Sequence, residues 1–217
     1  MPDNVRRLGT PPEQHRGLAG ETLMPICDCD VTCSSASETR GLHFQAPTDF
    51  CIRGLNVPNE MSQELQNVEV FVVDTEPAVW SSFSSSGGSV FYASSEPADQ
   101  TIATLIDVEA GKFVGILGTT GTVDMRNSCC SVGNFNSNIN GLPTTLKRFA
   151  TQNDIATAQA PSHHAEVGYS ISRVEVHCTA GTCDTDPRQG GAMGDPHFLT
   201  WSNEWFDFMG AVSLATL

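Results

Sequence analysis

Val68-Glu69-Val70-Phe71-Val72-Val73 is the stretch that decides the fold class. With a period of two, Val68, Val70 and Val72 fall on one side of an extended chain and Phe71 and Val73 on the other. The segment therefore reads as a strand buried on both faces, placed centrally in its sheet. Runs of the same kind surround it. Upstream, Leu42, Phe44 and Ala46 share one face, and Phe50, Ile52, Leu55 and Val57 follow, with Gly54 interrupting the alternation as a bulge does. Further runs occupy residues 79–83, 89–93, 102–106, 113–117, 145–149 and 169–177, with Gly87-Gly88, Pro97, Gly111, Gly118 and Gly141-Leu142-Pro143 between them. No segment carries a helical stripe. The pattern predicts an all-β chain: an antiparallel β-sandwich or jelly roll over residues 38–177.

Residues 1–37 contain Pro2, Pro11, Pro12, Pro25 and the polar Ser34-Ser35-Ala36-Ser37, with no period, and read as a disordered leader. Residues 178–193, with acidic Asp184-Thr185-Asp186 and then Gln189-Gly190-Gly191, read as a linker before a last segment at 194–217. The chain has 217 residues, 39% of them hydrophobic, enough for one substantial core. Eleven Lys plus Arg against twenty-five Asp plus Glu gives a net charge of −14, which repels phosphate backbones and argues against nucleic acid as a partner. No run approaches the roughly 18 apolar residues of a membrane span.

Eight cysteines suit a disulfide framework in an oxidising compartment. All eight are disulfide candidates: Cys27, Cys29, Cys33, Cys51, Cys129, Cys130, Cys178 and Cys183. Cys178 and Cys183 flank a short loop containing Gly181 and form the expected local pair. The adjacent Cys129 and Cys130 each seek a distant partner, and Cys51 is the natural candidate for one of them. The residues before Gly20 are not a secretory signal peptide as written, which sets them against an extracellular location, and a fragment of a larger secreted protein reconciles the two.

Catalytic motifs are weak. Gly115-Ile116-Leu117-Gly118-Thr119-Thr120-Gly121 lacks the lysine of a phosphate loop and reads as a strand running into a turn. His163-His164 reads as a surface pair in a polar loop, with a metal clip through Asp154 or Glu166 as the sharper alternative. No Gly-x-Ser-x-Gly elbow is present. No catalytic residue and no metal ligand is therefore assigned.

Near the end stands Gly194-Asp195-Pro196-His197-Phe198-Leu199-Thr200-Trp201, followed by Trp205-Phe206-Asp207-Phe208-Met209-Gly210. This stretch resembles the first hairpin of a von Willebrand factor type D domain. The matching positions are Gly194, Asp195, Pro196, His197, Phe198, Thr200, Trp201, Phe206, Phe208 and Gly210. Ser202-Asn203 replaces the usual Asp-Gly turn, and Val212 stands where the family has its first cysteine. Residues 194–217 are thus the expected onset of an incomplete type D domain. Calcium is the one ion that the resemblance admits, and Ser202 in place of the turn aspartate counts against it, so no cofactor is expected. A second resemblance, carried by residues 39–50 with Ile52, Gly54-Leu55 and Val57-Pro58, is to the first hairpin of uncharacterised secreted β-sandwich modules.

The second resemblance implies no activity and supports only the sandwich; the type D resemblance implies a non-catalytic, extracellular adhesive, matrix or cell-surface module with a protein or glycan as its partner. The alternatives are a carbohydrate-binding jelly roll, with Trp80, Tyr92 and Trp201 as stacking residues, and a fragment of a secreted hydrolase. The aromatic hairpin is also a candidate for self-association. Deleting residues 190–217 is expected to leave the melting temperature of the sandwich nearly unchanged while improving solubility; a large drop on truncation would assign the hairpin to the core of the first domain.

Overall fold

The structure, a computed structural model, describes residues 21–26, 31–34, 38–59, 62–80, 85–121, 126–183, 197–199 and 205–207. In chain order the strands are β1 (Thr22–Leu23), β2 (Val31–Ser34), β3 (Thr39–Gln45), β4 (Phe50–Asn56), β5 (Leu65–Val73), β6 (Ser89–Pro97), β7 (Ile102–Val108) and β8 (Phe113–Thr120). Then come β9 (Arg126–Val132), β10 (Phe135–Ile139), β11 (Leu142–Thr151), β12 (His164–Ala165), β13 (Ser170–Ser172), β14 (Glu175–Ala180), β15 (His197–Leu199) and β16 (Trp205–Asp207). The described residues contain no helix, so none is long and apolar enough to cross a membrane.

The fold is an antiparallel β-sandwich. One sheet runs β1-β14-β4-β7. The larger one follows β10-β11-β3-β8-β5-β6, with β12 added to β11 and with β9 joining β8 and carrying β2 and β13. Between the sheets lies one apolar cluster. Leu42, Phe44, Val68, Val70, Val114 and Ile116 of the larger sheet meet Phe50, Ile52, Leu55, Ile106, Val108 and Val176 of the smaller. Each such side chain contributes about 1.5–3 kcal/mol relative to exposure.

Alternation also gives the larger sheet a reverse face that is apolar. Phe71, Leu117, Phe149 and Ile155 form a second buried cluster there, with Tyr92 and Ala160 packed against it. Gly115 lies beneath the Phe149 ring: a Cβ at that position would stand 2.5 Å from Phe149 Cζ, so only glycine admits the ring. β5 is buried on both faces as its sequence predicts, though it lies between β8 and the edge strand β6 rather than at the middle of the sheet. The bulge expected at Gly54 appears as a register shift between Ile52 and Gly54 against β7.

Several expectations need correction. The segment 79–83 contributes a single bridge, Val79 to Ala165, with 81–84 outside the described residues. The run 169–177 divides into β13 and β14. The sandwich begins before residue 38, because Thr22–Leu23 pair with Cys178 and His177 and Met24 is buried in the core. It also extends past 177: β14 continues to Ala180, so part of the expected linker is sheet.

The cysteine pairing differs as well. Cys178 follows β14 into the core, where it is a free, fully buried thiol donating to the Thr22 carbonyl at 3.5 Å, and burial pushes its pKa up. It therefore cannot close the local pair with Cys183. The chain turns at Gly181 (φ +77°), and Cys183 bonds instead to Cys51 of β4, a strand whose Cys51 lies opposite Thr179. Cys33, Cys129 and Cys130 lie on the neighbouring strands β2 and β9, with Cys129 opposite Val31 and Cys33 opposite Asn127. Cys27 and Cys29 lie outside the described residues. In the C-terminal segment β15 and β16 pair antiparallel, with Phe198 opposite Phe206. Gly194, Asp195, Pro196, Thr200, Trp201, Phe208 and Gly210 lie outside the described residues.

The Cys51–Cys183 bond closes a separation of 132 residues, and the entropy removed from the unfolded chain grows with loop length. Replacing both by alanine is expected to cost about 3–5 kcal/mol in urea unfolding; a loss below about 1 kcal/mol would show that the bond does not constrain the unfolded chain.

Candidate functional site

Two arginines set the site. In the register of β3 and β11, Leu42 lies opposite Arg148 and Arg40 opposite Ala150. The alternation that turns Leu42, Phe44 and Leu146 into the core therefore turns Arg40 and Arg148 the same way, near the end of the sheet. The Arg40 and Arg148 side chains are only 10% and 12% exposed, and charges so nearly buried require partners. Glu166, just after β12, supplies one for both. Its Oε2 lies 2.5 Å from Arg148 Nε and 3.2 Å from Arg40 Nε, and its side chain is 9% exposed. Arg40 also pairs with Glu38 and donates to the Thr151 carbonyl at 2.8 Å, and Arg148 donates to the Ser170 carbonyl. Burial opposes ionisation of Glu166, but the His164 and Arg148 side chains and the two guanidinium charges outweigh it and hold the carboxyl at about 2, against an ordinary 4.5.

Around this cluster run two adjoining hollows of about 680 and 590 Å³ that share Val79, Arg148, Glu166, Val167 and Tyr169. Trp80, Gln152, Arg40 and Glu38 line one arm; His43, Glu76 and Lys147 line the other. The groove is rimmed by exposed apolar and aromatic residues: Val79, Trp80, Val167 and Tyr169. Trp80 is held by its backbone N–H, which donates to Ala165 O at 2.9 Å, and by the Ala165 N–H, which donates to Ala78 O at 2.8 Å. Its indole lies 4.4 Å from the His164 ring. Tyr169 caps Arg148, whose Cζ is 5.3 Å from the ring centre.

His163 and His164 are not a surface pair. Both are about 1% exposed, and alternation along β12 sends them apart. His163 packs on Phe71 and Phe149 and lies 3.1 Å from the Gly87 carbonyl, while His164 meets Trp80, Glu166 and Gln152. Asp154 is engaged elsewhere, accepting from Ala156 N at 2.7 Å. His43, which no motif marked, is buried with Nδ1 3.2 Å from the Arg148 carbonyl and Nε2 3.6 Å from Glu76 Oε1. Burial lowers the pKa of His43 and of His163. Among the described residues Cys51, Asp107 and Cys183 bring potential ligand atoms together, but both sulfurs are spent in the disulfide.

Of the three aromatics expected to stack on sugars, Trp80 faces the groove. Tyr92 packs on the reverse-face cluster and donates its hydroxyl to Ile155 O at 2.8 Å, and Trp201 lies outside the described residues. Arg40, Arg148 and Tyr169 went unmarked in the sequence as site residues, and Glu166 entered only as an alternative ligand of a metal clip; the one available signal was that Arg40 and Arg148 fall in phase with core leucines. Comparison with family models, with curated proteins and with solved structures gives no match to this chain.

An unfolded glutamate titrates near 4.5 and folded Glu166 at about 2, so its ionised form stabilises the fold above pH 4.5 and that contribution is lost as pH falls from 4.5 towards 2. Lowered His43 and His163 add an earlier loss that begins as pH falls below 6.5. Glu166→Gln is expected to cost about 3 kcal/mol in urea unfolding at neutral pH, with the difference from the parent shrinking below pH 4.5. A difference that stays constant down to acid pH would mean that the charge of Glu166 is not what stabilises the site.

Proposed function

We propose that this chain is a non-catalytic, extracellular interaction module whose ligand-binding surface is the groove beside Glu166. One observation carries the reading: the buried carboxylate of the groove is shared by two guanidinium groups and held at about 2. A general acid needs a proton to give near working pH, and a general base needs a free lone pair and a pKa near that range. Glu166 has neither. Among the described residues the other buried carboxylate, Glu69, is raised by burial, but it accepts from Ser89 Oγ at 2.7 Å and Ala160 N at 2.8 Å and is 0% exposed on the reverse face of the sheet. These features count against the hydrolase alternative.

The extracellular part of the reading is supported by eight cysteines and by the Cys51–Cys183 bond. The resemblance of residues 194–217 to a type D domain supports adhesion to a protein or glycan and self-association through that segment. Trp80, half exposed in a groove beside Tyr169, favours a glycan.

The secreted full chain is expected to give no turnover of ester, glycoside or peptide substrates. Turnover that one Asp, Glu, Ser or His substitution abolishes would overturn the non-catalytic reading.

A further inference from the structure

We infer that the groove takes an uncharged saccharide, with the Trp80 indole as the platform for one pyranose ring; this rests on the binding reading above and names its ligand class. The shape of the platform is the first ground. Trp80 is 49% exposed, and one side of its indole is backed by the His164 ring at 4.4 Å and 33°, so the opposite side is the one left to solvent. His164 is itself buried, and the backbone of Trp80 is tied to Ala165, so the ring stands on a fixed base rather than on a free loop. A flat apolar face held open in this way matches the C–H face of a pyranose, and little ordering remains to be done on binding. Tyr169, 61% exposed across the shared part of the groove, supplies a second ring.

Charge decides which saccharide. The groove is lined by Arg40, Lys147 and Arg148 and by Glu38, Glu76 and Glu166, three charges of each sign. Every one of them is paired within the lining: Arg40 with Glu38 and Glu166, Arg148 with Glu166, Lys147 with Glu76. His43 is kept neutral at pH 7 by a pKa lowered on burial. A carboxylated or sulfated sugar meets no unbalanced guanidinium here, and an amino sugar no unbalanced carboxylate. Polyanions are further repelled by the net charge of −14. Hydroxyl groups, which donate and accept at once, suit a lining of paired N–H donors and carboxylate acceptors together with the half-buried Gln152 amide.

The test titrates the full-length protein with soluble neutral polysaccharides (a β-glucan, a mannan, a galactan) and with anionic ones (heparin, alginate), at about 0.05 and 0.5 M salt. Binding of at least one neutral polymer is expected, unchanged by salt, about tenfold weaker in Trp80→Ala and largely kept in Trp80→Phe. Tyr169→Ala, at an exposed position, is expected to weaken binding about threefold and gives an independent result should Trp80→Ala not fold. Binding confined to anionic polymers, binding of neither class, or neutral binding that all three variants leave intact would overturn the inference while leaving the interaction-module reading in place. Release of new reducing ends from a bound polymer would overturn both.

Discussion

The interior strands of the larger sheet carry apolar side chains on both faces, Val68, Val70, Val114 and Ile116 on one and Phe71, Leu117 and Phe149 on the other. Neither face can be left to water. The four-stranded sheet covers the first. The second is covered by segments without strand pattern, Ile155 and Ala160 among them, and by the buried ring of His163. Backbone laid against a buried face must still make its hydrogen bonds, and this is where the bridges come from: Ser85 and His163 exchange two at 2.9 Å, and Ala78 and Trp80 bond to Ala165. The position of Trp80 is thus a consequence of covering the sheet, since the segment that closes the reverse face is anchored at β12 and leaves its indole on the rim.

The charged cluster follows from the same alternation carried past the end of the apolar core. Arg40 and Arg148 point where leucines would point, and stripping water from two guanidinium groups costs several kcal/mol each unless they are paired. Glu166 and the carbonyls of Thr151 and Ser170 meet that demand. Such a cluster adds little net stability over a well-packed apolar substitute, but it fixes geometry: Glu166 ties the residue after β12 to both β3 and β11, and so holds the two arms of the groove in one arrangement. A carboxylate used in this way is unsuited to proton transfer, because protonating it removes the counter-charge on which the local fold relies.

Much of the fold was legible because burial on one face leaves a period of two. The segments around Leu42, Ile52, Val68, Ile102 and Val114 are strands for that reason, and the bulge at Gly54 was marked by its break in alternation. Strands with few apolar residues left no such trace: β9 reads Arg-Asn-Ser-Cys-Cys-Ser-Val and β10 Phe-Asn-Ser-Asn-Ile. The hairpin between β10 and β11 turns on Asn140-Gly141, both with positive φ, a two-residue signal hidden among flanking polar residues. Cysteine pairing was beyond reach, since it depends on which strands become neighbours: only the register of β4 against β14 brings Cys51 near Cys183 and commits Cys178 to the core. The site was partly visible in Trp80. Of its polar half only Glu166 was marked, and for a metal clip rather than an ion pair, because Glu38, Arg40, Arg148 and Glu166 are ordinary surface residues until three strands bring them together.

The contrast between whole and part bears most directly on function. The chain carries fourteen negative charges in excess, yet within the groove cations and anions balance three to three. The long-range field therefore steers by sign only outside the groove, and inside it discrimination falls to shape and to hydrogen bonds whose strength depends on geometry rather than on ionic strength. A site built this way gains little from a charged ligand, which would have to displace an existing partner before making a new contact. It gains most from one that covers the open side of the indole and places hydroxyls against groups already fixed by their mutual pairing, because those groups then lose no freedom when the ligand arrives.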